Sequence, residues 1–315
     1  MVNPWDETPW FGLLIRWVAV VSCLQERGER MSVIRNDTGE VRLAWRLILV
    51  ILLYVGVAVL LRVIPSSLLI AVLVRDGMTQ GSALERANAI ILEDPVWSTV
   101  LGTISGLMGL LIVWFLVSVI ERSTFTWKAL GLDWRGNSPL LIILGALLAL
   151  LLFIAYIVIE FILGSSGSSP SAPLMGVGIG IFFQKFILYI GMGLGEEIVF
   201  RGYVQTRLVA RFGVIWGVLV TAVVFTLLHQ IFHSLSPVTI LSGVMLWIAI
   251  GALYHMSRSL YLVGMFHGVV NTLLNTLNFE VTDIGAMVVH ALALLILVVA
   301  ACLGTRISGL LSKPA

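Results

Sequence analysis

Two adjacent glutamates, Glu196 and Glu197, interrupt a long apolar stretch and are followed by Arg201. Residues four apart share one face of a helix, so the spacing predicts an ion pair between Glu197 and Arg201. Glu196 projects about 100° away from Glu197 and has no charged partner in its own helix. A carboxylate without such a partner is the candidate general base of this segment.

Two further pairs of polar and aromatic side chains follow downstream, each with a spacing of four. Phe225 and His229 would stack on one helix face, and His267 and Asn271 on another. An imidazole and a carboxamide on one face can both donate hydrogen bonds to a developing oxyanion. Gly268 leaves room there for a backbone or a substrate. The sequence therefore supplies a carboxylate base, two imidazoles and an amide donor.

This set of groups favours hydrolysis of an acyl bond by an activated water. Water is the expected nucleophile because no Ser/His/Asp arrangement is evident, and Cys23 and Cys302 lie far from the motifs. The helical zinc signature His-Glu-x-x-His is missing from the sequence, so no metal cofactor is expected. The alternative is a zinc site with three ligands, Glu196, His229 and His267, and one open position.

The composition indicates that these residues lie in a membrane. The 315 residues are 59% hydrophobic and only 11% charged, with a mean hydropathy of +1.05, whereas soluble domains carry roughly 25% charged residues. Continuous apolar runs favour helices over a barrel. We therefore predict an all-α polytopic membrane protein with about eight transmembrane helices. The predicted spans are Leu47–Val74 (bent at Pro65), Trp97–Ile120, Leu140–Leu163, Gly176–Gly195 or somewhat later, Val214–His229, Val238–His255, Leu260–Leu277 and Ile284–Leu303.

Each polar motif can also be explained by a structural role that involves no catalysis. An ionisable residue inside a span costs roughly 2.5–3.5 kcal/mol on insertion scales, so it needs a reason. Glutamates and arginine at the membrane surface can extend their charged ends into water, and we read Arg62 and Glu160 in that way. A single histidine late in a span is more often a packing residue. His267 and Asn271 can also clamp two helices together.

Charge and loop composition predict the organisation of the chain. Residues 1–46 form a cytoplasmic lead with a possible interfacial helix at 11–24, residues 47–165 hold three spans, and residues 176–305 form the catalytic core. Lys and Arg concentrate on one side of the predicted spans, which places both termini in the cytoplasm. The run Gly164–Pro173 is an expected loop. No cleavable signal peptide is predicted, and Met31 is a second candidate start.

The depths of the predicted residues do not agree with these spans. At about 1.5 Å per residue, His229 would lie near the outer end of its span, and His267 nearer the cytoplasm. The groups can meet only if helices tilt, or if the span that carries His229 begins below the membrane surface.

Three motifs carry a resemblance to a known family: Glu196-Glu197-x-x-x-Arg201, Phe225-x-x-x-His229 and His267-x-x-x-Asn271. In order and spacing they resemble the motifs of the CAAX prenyl endopeptidases and their prokaryotic relatives, the CPBP (Abi) family. The resemblance covers roughly Gly176 to Leu303. It implies an eight-helix fold with an intramembrane catalytic cavity that opens to the cytoplasm, and a glutamate mechanism without metal.

The resemblance also implies a role for each motif residue. The implied catalytic residues are Glu196 and His229, which activate the water, and His267 and Asn271, which hold the oxyanion. The supporting residues are Glu197, Arg201 and Phe225.

The sequence therefore predicts an intramembrane glutamate-dependent endopeptidase. The expected partners are membrane lipid and a peptide or protein substrate in or at the membrane, without nucleic acid. The short loops suggest a prokaryotic cytoplasmic membrane. The alternative is a non-catalytic scaffold, a bacteriocin-immunity factor or a regulatory protein that retains the fold. A transporter is the third option, although no inverted repeat is evident.

Overall fold

The computed structural model describes residues 34, 41–164, 178–230, 235–277 and 279–311. It divides into two compact units, Met1–Leu49 and Val50–Ala315. The predicted interfacial helix at 11–24 and nearly all of the predicted loop Gly164–Pro173 lie outside the described residues, as does the side chain of Arg62.

The described chain is built from helices, and no strand occurs within it, so the prediction of an all-α fold is confirmed. The helices are α1 (Leu43–Arg75), α2 (Gln80–Glu93), α3 (Pro95–Phe115), α4 (Trp127–Leu130), α5 (Ser138–Ile162), α6 (Ile179–Glu197), α7 (Thr206–Phe212), α8 (Val214–His229), α9 (Pro237–Ser257), α10 (Leu260–Thr276) and α11 (Asp283–Leu311). Two π-helical segments continue α3 and α6: Leu116–Ile120 and Ile198–Gln205.

Six of the described helical segments are long and apolar enough to cross a membrane. They are Leu43–Arg75, Thr99–Ile120, Ser138–Ile162, Ile179–Phe212, Pro237–Ser257 and Asp283–Ala300. Helix α8 is apolar but only 16 residues long, and α10 has 17 residues. The chain is thus a polytopic membrane protein, while the predicted count of eight spans is not confirmed.

The fourth predicted span, Gly176–Gly195 or somewhat later, is part of a longer helix. The helix does not stop near Gly195, because the π-helical segment and α7 carry it on to Phe212 as one rod of 34 residues. At about 1.5 Å per residue this rod is about 51 Å long, well beyond the hydrocarbon thickness of about 30 Å. It ends at Gly213, whose φ of +82° is a conformation that favours glycine.

This long rod removes the disagreement in depth. The chain runs from Glu197 down to Phe212 and returns along α8 to His229, and each arm covers about 22 Å. His229 therefore comes back to about the level of Glu197. Gly217 lets the two arms approach closely, because a Cβ there would lie 2.6 Å from the backbone nitrogen of Val209.

Helix α6 lies between α3 and α10 at backbone distance. On the α3 side, a Cβ at Gly195 would lie 2.7 Å from the carbonyl oxygen of Ser105, and one at Gly191 would overlap Gly102. On the opposite side, a Cβ at Gly193 would lie 3.1 Å from a backbone nitrogen of α10. Small residues of this kind allow helices to pack closely in lipid, and here they fix the helix that carries both glutamates.

The interpretation of Glu160 as an extended surface charge was wrong. Its side chain is buried, and Oε1 accepts hydrogen bonds from the backbone nitrogen of Thr282 at 2.7 Å and from its hydroxyl at 2.9 Å. Gly285 leaves space for this carboxyl, since a Cβ there would overlap it. Glu160 therefore satisfies a backbone donor at the start of α11 and joins α5 to it.

A second buried group of polar side chains joins α5, α9 and α11. The hydroxyl of Tyr156 is hydrogen-bonded to Nε2 of His290, and the hydroxyl of Ser242 lies 2.7 Å from Nδ1 of the same ring. Nδ1 also donates to the carbonyl of Ser242 at 2.9 Å. All three residues are buried, so both ring nitrogens of His290 are used for packing between helices.

Candidate active site

Glu197 and Arg201 form the ion pair that their spacing predicts. Nε of Arg201 lies 3.1 Å from Oε2 of Glu197, and both side chains are 0% exposed. Nη1 and Nη2 of Arg201 have no hydrogen-bond acceptor among the described residues. Instead, the guanidinium carbon lies 4.7 Å from the ring centre of Phe225 and 4.9 Å from that of Trp247. Aromatic faces thus take the place of oxygen acceptors around this buried cation.

His267 lies between the two glutamates. Its Nδ1 is 3.0 Å from Oε1 of Glu197, and its Nε2 is 3.6 Å from Oε2 of Glu196. The first distance is a hydrogen bond, in which the ring nitrogen donates because a carboxylate paired with Arg201 can only accept. The second is longer than a hydrogen bond, so Nε2 faces Glu196 across a short gap.

The charges of this cluster limit its protonation. Two carboxylates and one guanidinium leave an excess of one negative charge, which is costly in a medium of low dielectric constant. One further proton, held by His267 or shared between His267 and Glu196, makes the cluster neutral.

Glu196 is the more accessible of the two glutamates, with a side chain that is 17% exposed compared with 0% for Glu197. The hydroxyl of Tyr54, on α1, lies near the Glu196 carboxylate. Tyr54 also packs edge-on against Phe200, with ring centres 5.5 Å apart. Sequence reasoning missed Tyr54, because it lies in an apolar run on another helix and no spacing links it to Glu196.

The structure brings His229 beside this cluster but not into contact with Glu196. Nδ1 of His229 donates to the carbonyl oxygen of Phe225 at 2.9 Å, so the neutral ring carries its lone pair on Nε2. Its ring centre lies 4.7 Å from that of Phe225. Among the contacts of the described residues, no hydrogen bond or ion pair links His229 to Glu196.

Asn271 lies one helical turn beyond His267 on α10 and is half-buried. Its backbone oxygen accepts a hydrogen bond from the side chain of Asn275 at 2.8 Å. Its carboxamide makes no hydrogen bond within the part of the chain that the structure describes. Asn271 therefore shares a helix face with His267 without joining the cluster directly.

Trp247, on α9, is a second residue that sequence reasoning missed. Its ring centre lies 4.4 Å from that of Phe225, 4.9 Å from His267 and 6.2 Å from His229. It is one of 10 tryptophans in the chain, and no motif spacing distinguishes it from the others. Trp247 and Phe225 together form an aromatic surface that contacts both imidazoles and the guanidinium of Arg201.

The described residues include no group of three or more His, Cys, Asp or Glu side chains placed to hold a metal ion. Of the alternative zinc ligands, Glu196 and His267 face each other, whereas His229 has no contact with Glu196 among the described residues.

Comparison with known proteins gives a family match for part of the chain. Residues 178–273 match the family described as type II CAAX prenyl endopeptidase, Rce1-like. This segment resembles that family. It contains all three motifs and runs from the start of α6 into α10, so the family resemblance read from the motifs is confirmed there. No curated protein and no solved structure matches the chain.

Proposed function

We propose that the chain is a CAAX-type intramembrane endopeptidase that hydrolyses a peptide bond of a membrane-associated substrate. The observation that carries the proposal is the meeting of Glu196, Glu197, Arg201 and His267 beside Phe225 in the Rce1-like segment. Such ionisable groups inside a membrane bundle are costly and are characteristic of functional sites.

In the proposed reaction, Glu196 is the general base. Its partly exposed carboxylate removes a proton from water. Nε2 of His229 orients the same water by accepting a hydrogen bond from its other O–H. The water oxygen bonds to the carbonyl carbon of the scissile peptide bond. The π electron pair of the C=O bond moves to the carbonyl oxygen, which becomes the oxyanion. When the intermediate collapses, the C–N bond breaks and Glu196 returns its proton to the leaving amine.

The oxyanion would be held by donors from α10. His267 donates from Nε2 when it carries the additional proton that balances the cluster, and the unoccupied carboxamide of Asn271 donates from one turn further on. Glu197 and Arg201 keep the ring of His267 in place, because Glu197 accepts from Nδ1 while it is paired with Arg201. No metal ion takes part in this mechanism.

The proposed location is a prokaryotic cytoplasmic membrane, with both termini in the cytoplasm and the site open to that side. The distribution of Lys and Arg supports this orientation. The proposed partners are bilayer lipid and a peptide or protein substrate.

A non-catalytic scaffold is the second candidate, and one observation favours it. Glu197, Arg201 and His267 are buried and joined to one another, so they clamp α10 to the end of α6 without needing a substrate. Under this alternative, Glu196 would be dispensable.

The two candidates differ in the effect of Glu196→Gln. The test uses purified protein in liposomes with two peptides of one sequence, one farnesylated at a cysteine and one not, in ¹⁸O-labelled water. Wild type should cleave at least one peptide and place ¹⁸O in the new carboxyl terminus, in the presence of a chelator.

Glu196→Gln and His229→Ala should lower the rate by about 10²–10⁴-fold, the range of general acid–base catalysis. Glu280→Gln changes an exposed carboxylate outside the cluster and should match wild type. Equal cleavage by wild type and Glu196→Gln, or cleavage of neither peptide by wild type, would contradict the proposal.

A further inference from the structure

We infer that Trp247 is a positioning residue that fixes the ring orientations of His229 and His267 in the reaction. The inference rests on the proposed function for its catalytic consequence, but its structural part stands on contacts alone. Trp247 lies near the middle of α9. That helix carries none of the three motifs, so none of the residues that carry the family resemblance points to it.

The first reason is the geometry of three rings. The indole of Trp247 is inclined by 30° to the imidazole of His229, which amounts to a stacked arrangement, and by 60° to that of His267. It meets Phe225 edge-on at 82°. One rigid side chain therefore faces both imidazoles at once, although they belong to helices far apart in sequence.

The second reason is that His229 has little else to hold it. Its only hydrogen bond among the described residues is to the carbonyl of Phe225, one turn back in the same helix. A single bond of this kind leaves the ring free to turn about its other torsions. The flanking rings of Trp247 and Phe225 restrict that rotation and keep Nε2 pointing in one direction.

The third reason is an indirect route to His267. The guanidinium of Arg201 lies over the Trp247 ring at 4.9 Å, and its two terminal nitrogens lack oxygen acceptors within the described chain. Arg201 pairs with Glu197, and Glu197 holds Nδ1 of His267. Loss of the indole would therefore loosen His267 both directly and through this pair.

Trp247 cannot itself move a proton in the reaction. An indole is a donor only, and this one makes no hydrogen bond among the described residues. Its effect must pass through the orientation of the two imidazoles. Such a role predicts a change in kcat with little change in KM, because the near-attack geometry is altered and not the binding of substrate.

The decisive measurement is ¹⁵N NMR of histidine-labelled protein in micelles, with signals assigned from His→Gln variants. In wild type, Nδ1 of His229 and of His267 should each give the shift of a protonated nitrogen. In Trp247→Leu, the Nδ1 and Nε2 signals of both rings should move towards a common averaged shift, because the rings exchange between orientations and tautomers.

Two further variants separate positioning from packing. Trp247→Phe retains an aromatic face and should keep the wild-type ring signals. Ile250→Ala removes a buried aliphatic side chain from the same helix while leaving the indole in place, and it should also keep them. Thermal unfolding of all three variants shows that each is folded before its spectrum is compared.

The catalytic consequence is tested in the peptide assay. Trp247→Leu should lower kcat by about tenfold to a hundredfold with KM within about twofold of wild type, and Trp247→Phe should recover most of the loss. If wild type cleaves neither peptide, the proposed function fails, and the ¹⁵N signals alone decide the positioning role. Unchanged signals of both rings in folded Trp247→Leu, or the same averaging in Ile250→Ala, would overturn the inference.

Discussion

At the scale of single residues, the molecule holds a fully buried ion pair. Glu197 and Arg201 are 0% exposed and lie 3.1 Å apart. Neither charge could stay buried alone, because an unpaired ion in such a place costs several kcal/mol. The value of the pair lies in its contacts: it turns a carboxylate towards His267 and a guanidinium towards two aromatic rings.

This pairing leads to a test of stability. Glu197→Gln leaves a buried, unpaired Arg201, so we expect the free energy of unfolding to fall by about 3–5 kcal/mol. The double variant Glu197→Gln/Arg201→Met removes the stranded cation as well and should recover most of that loss. Both are measured by unfolding in mixed micelles, with Glu280→Gln as the control, expected within about 0.5 kcal/mol of wild type. A double variant as unstable as the single one would show that the pair is not the source of the cost.

Residue spacing predicted part of this site and not the rest. A spacing of four links side chains on one helix, and for Glu197 and Arg201 that was sufficient. Tyr54 and Trp247 reach the cluster from α1 and α9, and such contacts depend on how helices pack. For the same reason, no residue spacing indicated that Glu160 would be buried against the start of α11.

At the scale of elements, the position of α6 depends on its glycines. Backbone contacts to α3 on one side and α10 on the other pass through glycines of α6. Dispersion contacts at such short range stabilise helix pairs in lipid, where burial from water contributes little. The glutamates are thus held by the packing of the helix that carries them.

Gly195→Ala is the corresponding prediction. The new Cβ would lie 2.7 Å from the carbonyl oxygen of Ser105, and the resulting separation of α3 from α6 should cost about 1–3 kcal/mol of stability. The matched control is Gly56→Ala on α1, where a Cβ would meet no atom within 4 Å. Helix propensity alone should make that variant neutral or slightly more stable. Similar unfolding curves for the two variants would argue against close packing at Gly195.

Hydropathy could not predict where the helix that begins as α6 ends. Glu196, Glu197 and Arg201 lower the local hydropathy, so the end of the span was predicted at Gly195 or somewhat later. Glu197 is paired with Arg201, both glutamates face His267, and the backbone continues as a π-helical segment. Charge pairing across helices therefore extended a helix that the sequence pattern alone would terminate.

At the scale of the whole molecule, contacts between helix ends indicate the direction of the last three helices. The hydroxyl of Thr239, at the start of α9, donates to Asp283 at the start of α11. At the other end of the bundle, the hydroxyl of Tyr254 donates to the carbonyl of Leu130, and the backbone nitrogen of Leu260 to Gly131. Helices α9, α10 and α11 thus alternate in direction, as the predicted charge distribution requires.

The number of membrane crossings depends on whether α8 and α10 cross the membrane, since they have only 16 and 17 residues. Single cysteines at exposed positions decide it in a chain that carries Cys23→Ser and Cys302→Ser: Arg211→Cys at the end of α7, Val238→Cys at the start of α9 and Glu280→Cys between α10 and α11. If α8 and α10 cross together with the six longer segments, Val238→Cys and Glu280→Cys should react with an impermeant maleimide from outside intact cells. Arg211→Cys should react only after permeabilisation, since basic residues favour the cytoplasmic side. If α8 does not cross, Val238→Cys and Glu280→Cys should both share their side with Arg211→Cys instead, because the start of α9 contacts the start of α11. The path that returns His229 to the level of Glu197 would then be a re-entrant hairpin.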